Sequence, residues 1–170
     1  MVIAAAGHPG RAAAGAKGCS NGGVRMKLAW IIWLGSFSPA PLADPVCLAT
    51  TVYLESRNQI RDGQLAVAEV ALRRRDSGRY GNRLCEVLMQ PKQFALTLAS
   101  PDQRIDDWPA FWESWKVSAQ ALRNWALPEP QRRLIVPGAD HFLAFERVRV
   151  GWSGGAPLHV IGDHGFYRVD

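Results

Sequence analysis

Cys47, Thr51 and Glu55 stand at i, i+4 and i+8 in the run CLATTVYLESR, the spacing that lines side chains along one face of a helix. Leu48, Val52 and Leu54 surround that face with apolar surface. A carboxyl group in such a place loses its hydration, and desolvation raises its pKa and keeps it protonated. A glutamic acid that still holds its proton at neutral pH can act as a general acid, the requirement for breaking a glycosidic bond. The plainer reading of Glu55 is a solvated carboxylate paired with Arg57 or another arginine.

The elements that must position Glu55 are readable in outline. Pro45 suits the first turn of a helix, with Asp44 as its cap. Asp62-Gly63 then reads as a break, and residues 64–75 as a second helix with an apolar stripe of Leu65, Ala68 and Leu72. Arg73, Arg74 and Arg75 close it with charge that suits a helix C-terminus. Residues 84–89 can form one or two helical turns before Pro91, and Gln93-Phe94 falls in a loop. Residues 100–107 read as polar linker. Residues 108–127 are the longest helix candidate, with Pro109 in the first turn and Phe111, Trp115, Ala119, Leu122 and Trp125 as the buried face. Most tryptophans of this helix are expected in the core. From Leu134 onward glycines punctuate short runs rich in Val, Phe and Tyr, the signature of a small hairpin sheet. The fold class expected is α+β, helices first and a small sheet late.

Composition sets the frame. The 170 residues suit one domain, and 48% hydrophobic with 21% charged residues is a globular balance. The formal charge of +5 is unevenly placed: residues 1–43 hold Arg11, Lys17, Arg25 and Lys27 and no acid. The basic excess thus belongs mostly to the N-terminal segment and argues for no nucleic-acid partner. Residues 1–25, rich in Ala and Gly, are expected to be disordered or an over-extended N-terminus. Residues 26–43 have the charge, short apolar core and small-residue exit of a secretory signal peptide, with cleavage near Ala40 or Ala43; an uncleaved membrane anchor is the rival. Residues 44–170 would then be an exported domain, in the periplasm or cell envelope. Cys19 falls in the leading segment. Cys47 and Cys85 remain as a pair, and an oxidising compartment favours their disulfide. Closing that loop of about 38 residues would contribute roughly 3–4 kcal/mol on chain-entropy grounds. Two buried free thiols are the other reading.

Several motifs occur together in a fixed order: Cys47-Leu48-Ala49, Tyr53-x-Glu55-x-Arg57, the run from Gly63 to Ala68, Gln90-Pro91-x-Gln93-Phe94, Gly138-Ala139-x-His141-Phe142, Trp152, and Ile161-Gly162-x-His164-x-Phe166-Tyr167. In this order they resemble the SleB-type cell wall hydrolase family, related to spore-cortex-lytic enzymes, over roughly residues 47–168. The resemblance implies a small lysozyme-like or lytic-transglycosylase-like domain acting on peptidoglycan glycan strands. It places the catalytic acid on Glu55. The chain departs from the family pattern at Ser56, where alanine is usual, at Arg73, where asparagine is usual before Arg74, and at Val150, where proline is frequent.

On that resemblance Glu55 would protonate the leaving oxygen of the bond between N-acetylmuramic acid and N-acetylglucosamine. With a second carboxylate, water attacks and a reducing sugar results. With one, the ionised Glu55 takes the proton from the muramic C6 hydroxyl, which closes on C1 as a 1,6-anhydro sugar. Glu69, Asp140 and Asp163 are candidate second carboxylates, though Glu69 reads equally as a solvated helix residue. None is embedded in the motifs as Glu55 is, which favours lytic transglycosylation. Gln93, His141, Trp152, His164 and Tyr167 are candidate groove residues, able to hydrogen-bond or stack on sugars. The expected partner is peptidoglycan. The expected molecule is a monomer without cofactor, metal or stable membrane insertion after processing.

Two other classes compete. Asp140, His141, His159, Asp163 and His164 are metal-ligand types, so a metal-dependent amidase or peptidase is one alternative, though no His-Glu-x-x-His spacing is present. A non-catalytic wall-binding protein is the other. Host remodelling and prophage lysis are the same chemistry to the sequence.

Overall fold

The structure, a computed structural model, describes residues 26–144 and 151–169. The disorder expected of residues 1–25, Cys19, and the departure at Val150 lie outside them. Helix α2, Ala40–Ser56, is the hub on which α1 (Leu28–Phe37), α3 (Arg61–Asp76), α4 (Leu84–Leu88), α5 (Ala95–Leu98) and α6 (Trp108–Trp125) pack. Every residue from Cys47 to Tyr53 is buried, so α2 is enclosed on all sides, as its apolar composition demands. Its start differs from expectation. Pro39 is the cap residue and Pro45 lies inside the helix. Asp44 caps a different helix: its carboxylate accepts from the backbone N–H of Leu84 and Cys85 at 3.3 and 3.2 Å, at the start of α4.

The disulfide is formed. Cys47 and Cys85 join α2 to α4 with a Cα–Cα separation of 5.4 Å. Helix α1 lies over this bond, and a methyl group on Gly35 would stand 2.9 Å from Cys47 Sγ. The segment read as a leader is thus folded against the body, with Leu28 and Ile31 buried. The short strand β1 (Met26–Lys27) pairs with β2 (Arg104–Ile105) inside the stretch expected to be linker.

The break between α2 and α3 falls at residues 57–60 rather than at Asp62-Gly63, which sits in the first turn of α3. Helix α6 starts where expected, with the Asp107 carboxylate accepting from Ala110 N–H. Its buried stripe is Phe111, Ser114, Val117, Ser118, Ala121 and Trp125, rotated from the predicted face in the middle. Small residues there let α6 approach α2 closely. Trp112 accordingly faces out, 60% exposed, and Trp108 is 36% exposed, so half of this helix's tryptophans are not core.

The late sheet has strand order β3 (His141–Ala144), β5 (His164–Tyr167), β4 (His159–Ile161), all antiparallel. Phe142, Phe166 and His164 share the face toward Phe94 and the helices; His141 and Tyr167 pair on the other face. The β4–β5 turn is Gly162-Asp163. Gly162 has φ of 56°, which favours glycine, and a Cβ there would displace the Gln59 amide, whose Oε1 would stand 2.2 Å away. Gln59 also exchanges hydrogen bonds with Asp163, fixing the hairpin tip to the loop after α2. The result is the α+β, lysozyme-like arrangement expected.

Candidate active site around Glu55

Glu55 lies near the C-terminal end of α2, on the Cys47–Thr51 face, and is 5% exposed. Its Oε1 accepts a 2.6 Å hydrogen bond from the backbone N–H of Ala95, the first residue of α5. Oε2 is buried and makes no hydrogen bond, and neither does the Thr51 hydroxyl one turn earlier. Among the described residues no cation balances the carboxylate. Arg57, the ion-pair partner of the plainer reading, stacks on the Tyr53 ring with its guanidinium 4.7 Å from the centroid. Burial therefore dominates and pushes the Glu55 pKa up to about 8, against a smaller opposing pull from Ala95 N–H. The group holds its proton at neutral pH. Ser56 is fully buried, but its hydroxyl donates to Val52 O at 3.0 Å, so the extra oxygen relative to alanine is satisfied within the helix.

Gln93 stands two residues from Ala95 and is half-buried; its Oε1 accepts from Arg74 Nη2 at 2.8 Å. Arg74 is 1% exposed, its guanidinium 3.8 Å from the Tyr80 ring centroid and 5.5 Å from that of Phe94. Sequence reading assigned Arg74 to helix-end charge. Here it braces the loop that carries the hydrogen-bond donor to Glu55. That loop donor, Ala95 N–H, has no sequence signal at all, because a backbone group carries no residue identity.

The other candidates form a second cluster. His141 and Tyr167 are buried neighbours on paired strands, and Trp152 packs on both, with ring centroids at 5.1 and 5.5 Å. Asp140 Oδ1 accepts from His141 Nδ1 at 2.8 Å, and from Val169 N–H at 2.8 Å. Burial lowers the His141 pKa more than Asp140 raises it, so the ring is neutral and Nε2 is its acceptor nitrogen. His164 is on the opposite face of the sheet, against Phe142. The structure thus brings together His141, Trp152 and Tyr167, places Gln93 beside the Glu55 loop, and leaves His164 within the core.

The alternative carboxylates are engaged elsewhere. Glu69 is buried, not solvated, and accepts from the backbone N–H of Ile135 and Val136 at 2.7 and 3.0 Å, which ties α3 to the strand-bearing half. Asp163 is held by Gln59 at the hairpin tip. The possible metal ligands are spread over both faces and the tip of the sheet. Among the described residues no three His, Cys, Asp or Glu side chains converge as a metal site.

A family model described as Cell Wall Hydrolase matches residues 58–167, well over half of the chain. The matched stretch includes α3, the Gln93 loop and the whole late sheet, and begins just after Glu55. No curated protein and no solved structure matches the chain.

Proposed function

Because this chain belongs to the SleB-type cell wall hydrolase family, and so is a peptidoglycan hydrolase, we propose that it cuts the glycan strand by lytic transglycosylation with Glu55 as acid and then base. One observation carries the proposal: a buried carboxyl without a counter-ion among the described residues, held by one backbone N–H, with its pKa pushed up to about 8. Protonated Glu55 gives its proton to the oxygen leaving C1 of N-acetylmuramic acid as the glycosidic bond breaks. The carboxylate so formed takes the proton of the muramic C6 hydroxyl while that oxygen bonds to C1. Glu55 ends as it began, and no water is consumed.

The ties of Glu69, Asp140 and Asp163 to other groups support the one-carboxylate route over hydrolysis with a second carboxylate. Gln93 and Trp152, both half-buried, are our groove residues; His141 and Tyr167 pack on Trp152, Arg74 holds Gln93, and His164 stays in the core. Mass spectrometry of muropeptides released from purified sacculi tests the reaction. Ends carrying 1,6-anhydromuramic acid are expected. Reducing muramic ends would replace transglycosylation with hydrolysis, and free amino groups without cleaved glycan would replace both with an amidase.

A further inference from the structure

Helix α2 carries three hydroxyl side chains, and two of them are satisfied within the helix. Thr50 donates to Val46 O at 2.8 Å and Ser56 to Val52 O at 3.0 Å, each one turn back. Thr51 does not follow them. It is fully buried, and its hydroxyl has no hydrogen-bond partner among the described residues. A buried hydroxyl in that condition is costly, and a helical threonine has a second rotamer that would relieve it by bonding a carbonyl of the preceding turn. The side chain keeps the costly rotamer instead.

One turn on, Glu55 Oε2 is in the same condition. Residues four apart on a helix have Cβ atoms about 5–6 Å apart, so a small rotation of either side chain, or one bridging water, joins the two oxygens. Their chemistry is matched. Glu55 Oε1 accepts from Ala95 N–H at 2.6 Å, and the carbonyl oxygen is the stronger acceptor of a carboxylic acid, so the proton is on Oε2. A hydroxyl can accept from Oε2–H and, once the proton has left, donate to the same oxygen as carboxylate. Among the described residues no charged group competes for that role. Burial and Ala95 N–H are the causes of the Glu55 shift, and neither Arg57 on its own helix nor Arg74 on α3 contributes to it.

We propose that Thr51 is the positioning residue of Glu55: its hydroxyl holds the proton-bearing oxygen of the acid and donates to that oxygen after the proton has gone to the leaving group. The consequence for catalysis rests on the reading of Glu55 as acid and then base, but the tie itself does not. A hydrogen bond to a carboxylate is stronger than one to a neutral acid, so Thr51 favours the ionised form. It thereby stabilises the charge that develops on Glu55 as the glycosidic bond breaks. It also keeps Oε2 in place to take the proton of the muramic C6 hydroxyl. Thr51 itself is enclosed and touches no substrate.

Thr51→Val removes the hydroxyl at nearly constant shape, and Thr51→Ser restores it. The full chain, carrying glutamate labelled with ¹³C at the carboxyl carbon, is titrated by NMR, with Glu55→Gln identifying the Glu55 resonance. In Thr51→Val that resonance should titrate about one pH unit higher than in the wild type, and in Thr51→Ser close to the wild type. Its Tm should not fall, because the hydroxyl removed makes no bond in the fold. On glycan strands Thr51→Val should lower kcat about tenfold with KM unchanged, and the alkaline limb of its pH profile should move up with the resonance. Thr51→Ser should recover most of the rate. An unmoved Glu55 titration in Thr51→Val, a Thr51→Ser as impaired as Thr51→Val, or a loss confined to KM overturns the proposal. A shifted resonance with full glycan cleavage in Glu55→Gln would uphold the tie and sink the acid. An inactive Glu55→Gln with Thr51→Val titrating and cleaving as the wild type does would uphold the acid and sink the tie.

Discussion

The acid role proposed for Glu55 rests on its lacking a counter-ion among the described residues. Burial keeps the proton on the carboxyl against the smaller pull of one backbone N–H, and in the proposed reaction a substrate oxygen takes that proton. Glu55→Gln keeps the shape and the acceptor for Ala95 N–H but removes the transferable proton. Glycan cleavage should fall on the order of 10²–10⁴-fold, while binding to sacculi persists; wild-type activity in this variant would refute the assignment. The pH dependence follows from the direction of the shift. A carboxyl whose pKa is raised in the fold contributes fully below the ordinary carboxylate range, and that contribution is lost as pH rises through about 8. The wild type should therefore lose stability, on the order of a few kcal/mol, between about pH 4.5 and 8. Glu55→Gln should flatten that slope, so that its Tm advantage is greater at pH 8.5 than at pH 5. Parallel slopes in thermal unfolding would show that Glu55 is not desolvated. The same titration should switch off kcat/KM on its alkaline side near pH 8.

The helices hold Glu55 through two ties, the disulfide from α2 to α4 and the α5 N-terminus against the carboxylate. Reducing the Cys47–Cys85 bond, or Cys85→Ala, should lower stability by about 3 kcal/mol, read as a shifted denaturant midpoint with and without reductant. An unchanged midpoint would mean the bond constrains nothing in the unfolded chain. These elements were unequally legible. The helical face of Glu55 and the disulfide pair stood out because spacing and cysteine count report them directly. Helix α5 has four residues and β1 and β2 two each, too few to show a period. The middle of α6 was misjudged because large residues were assigned inward, whereas close approach of α2 selects Ser114, Ser118 and Ala121. Asp44 does not cap α2 as its place before Pro45 suggests, because its partners at the start of α4 lie 40 and 41 positions on. Arg74 looked like one of three terminal charges, and only the tertiary fold shows that Tyr80 and Phe94 enclose it.

At the scale of the molecule, the open matter is what happens to residues 26–43. We propose that they serve as the export signal, in keeping with a substrate that lies in the cell wall, and no helix among the described residues is long and apolar enough to cross a membrane. Yet in the folded chain α1 contributes Leu28 to the main core and Ile31 to a second cluster with Ala49, Tyr53, Ile105 and Phe111. Its other side leaves Trp30, Trp33 and Phe37 more than half exposed. Cleavage near Ala40 or Ala43 would remove both the exposed aromatics and the inner packing. The mature domain should then begin near Pro41 or Asp44 in protein isolated from its host, and it should be less stable than the chain starting at Met26. Burial of two large aliphatic side chains sets that loss at about 3–6 kcal/mol, before the uncovered groove relaxes. Gly35→Ala separates the two states: its added methyl crowds Cys47 Sγ, so it should lower the Tm of the longer chain. An intact N-terminus on wall-bound protein, with that Gly35→Ala loss, would overturn processing and make α1 a permanent part of the enzyme.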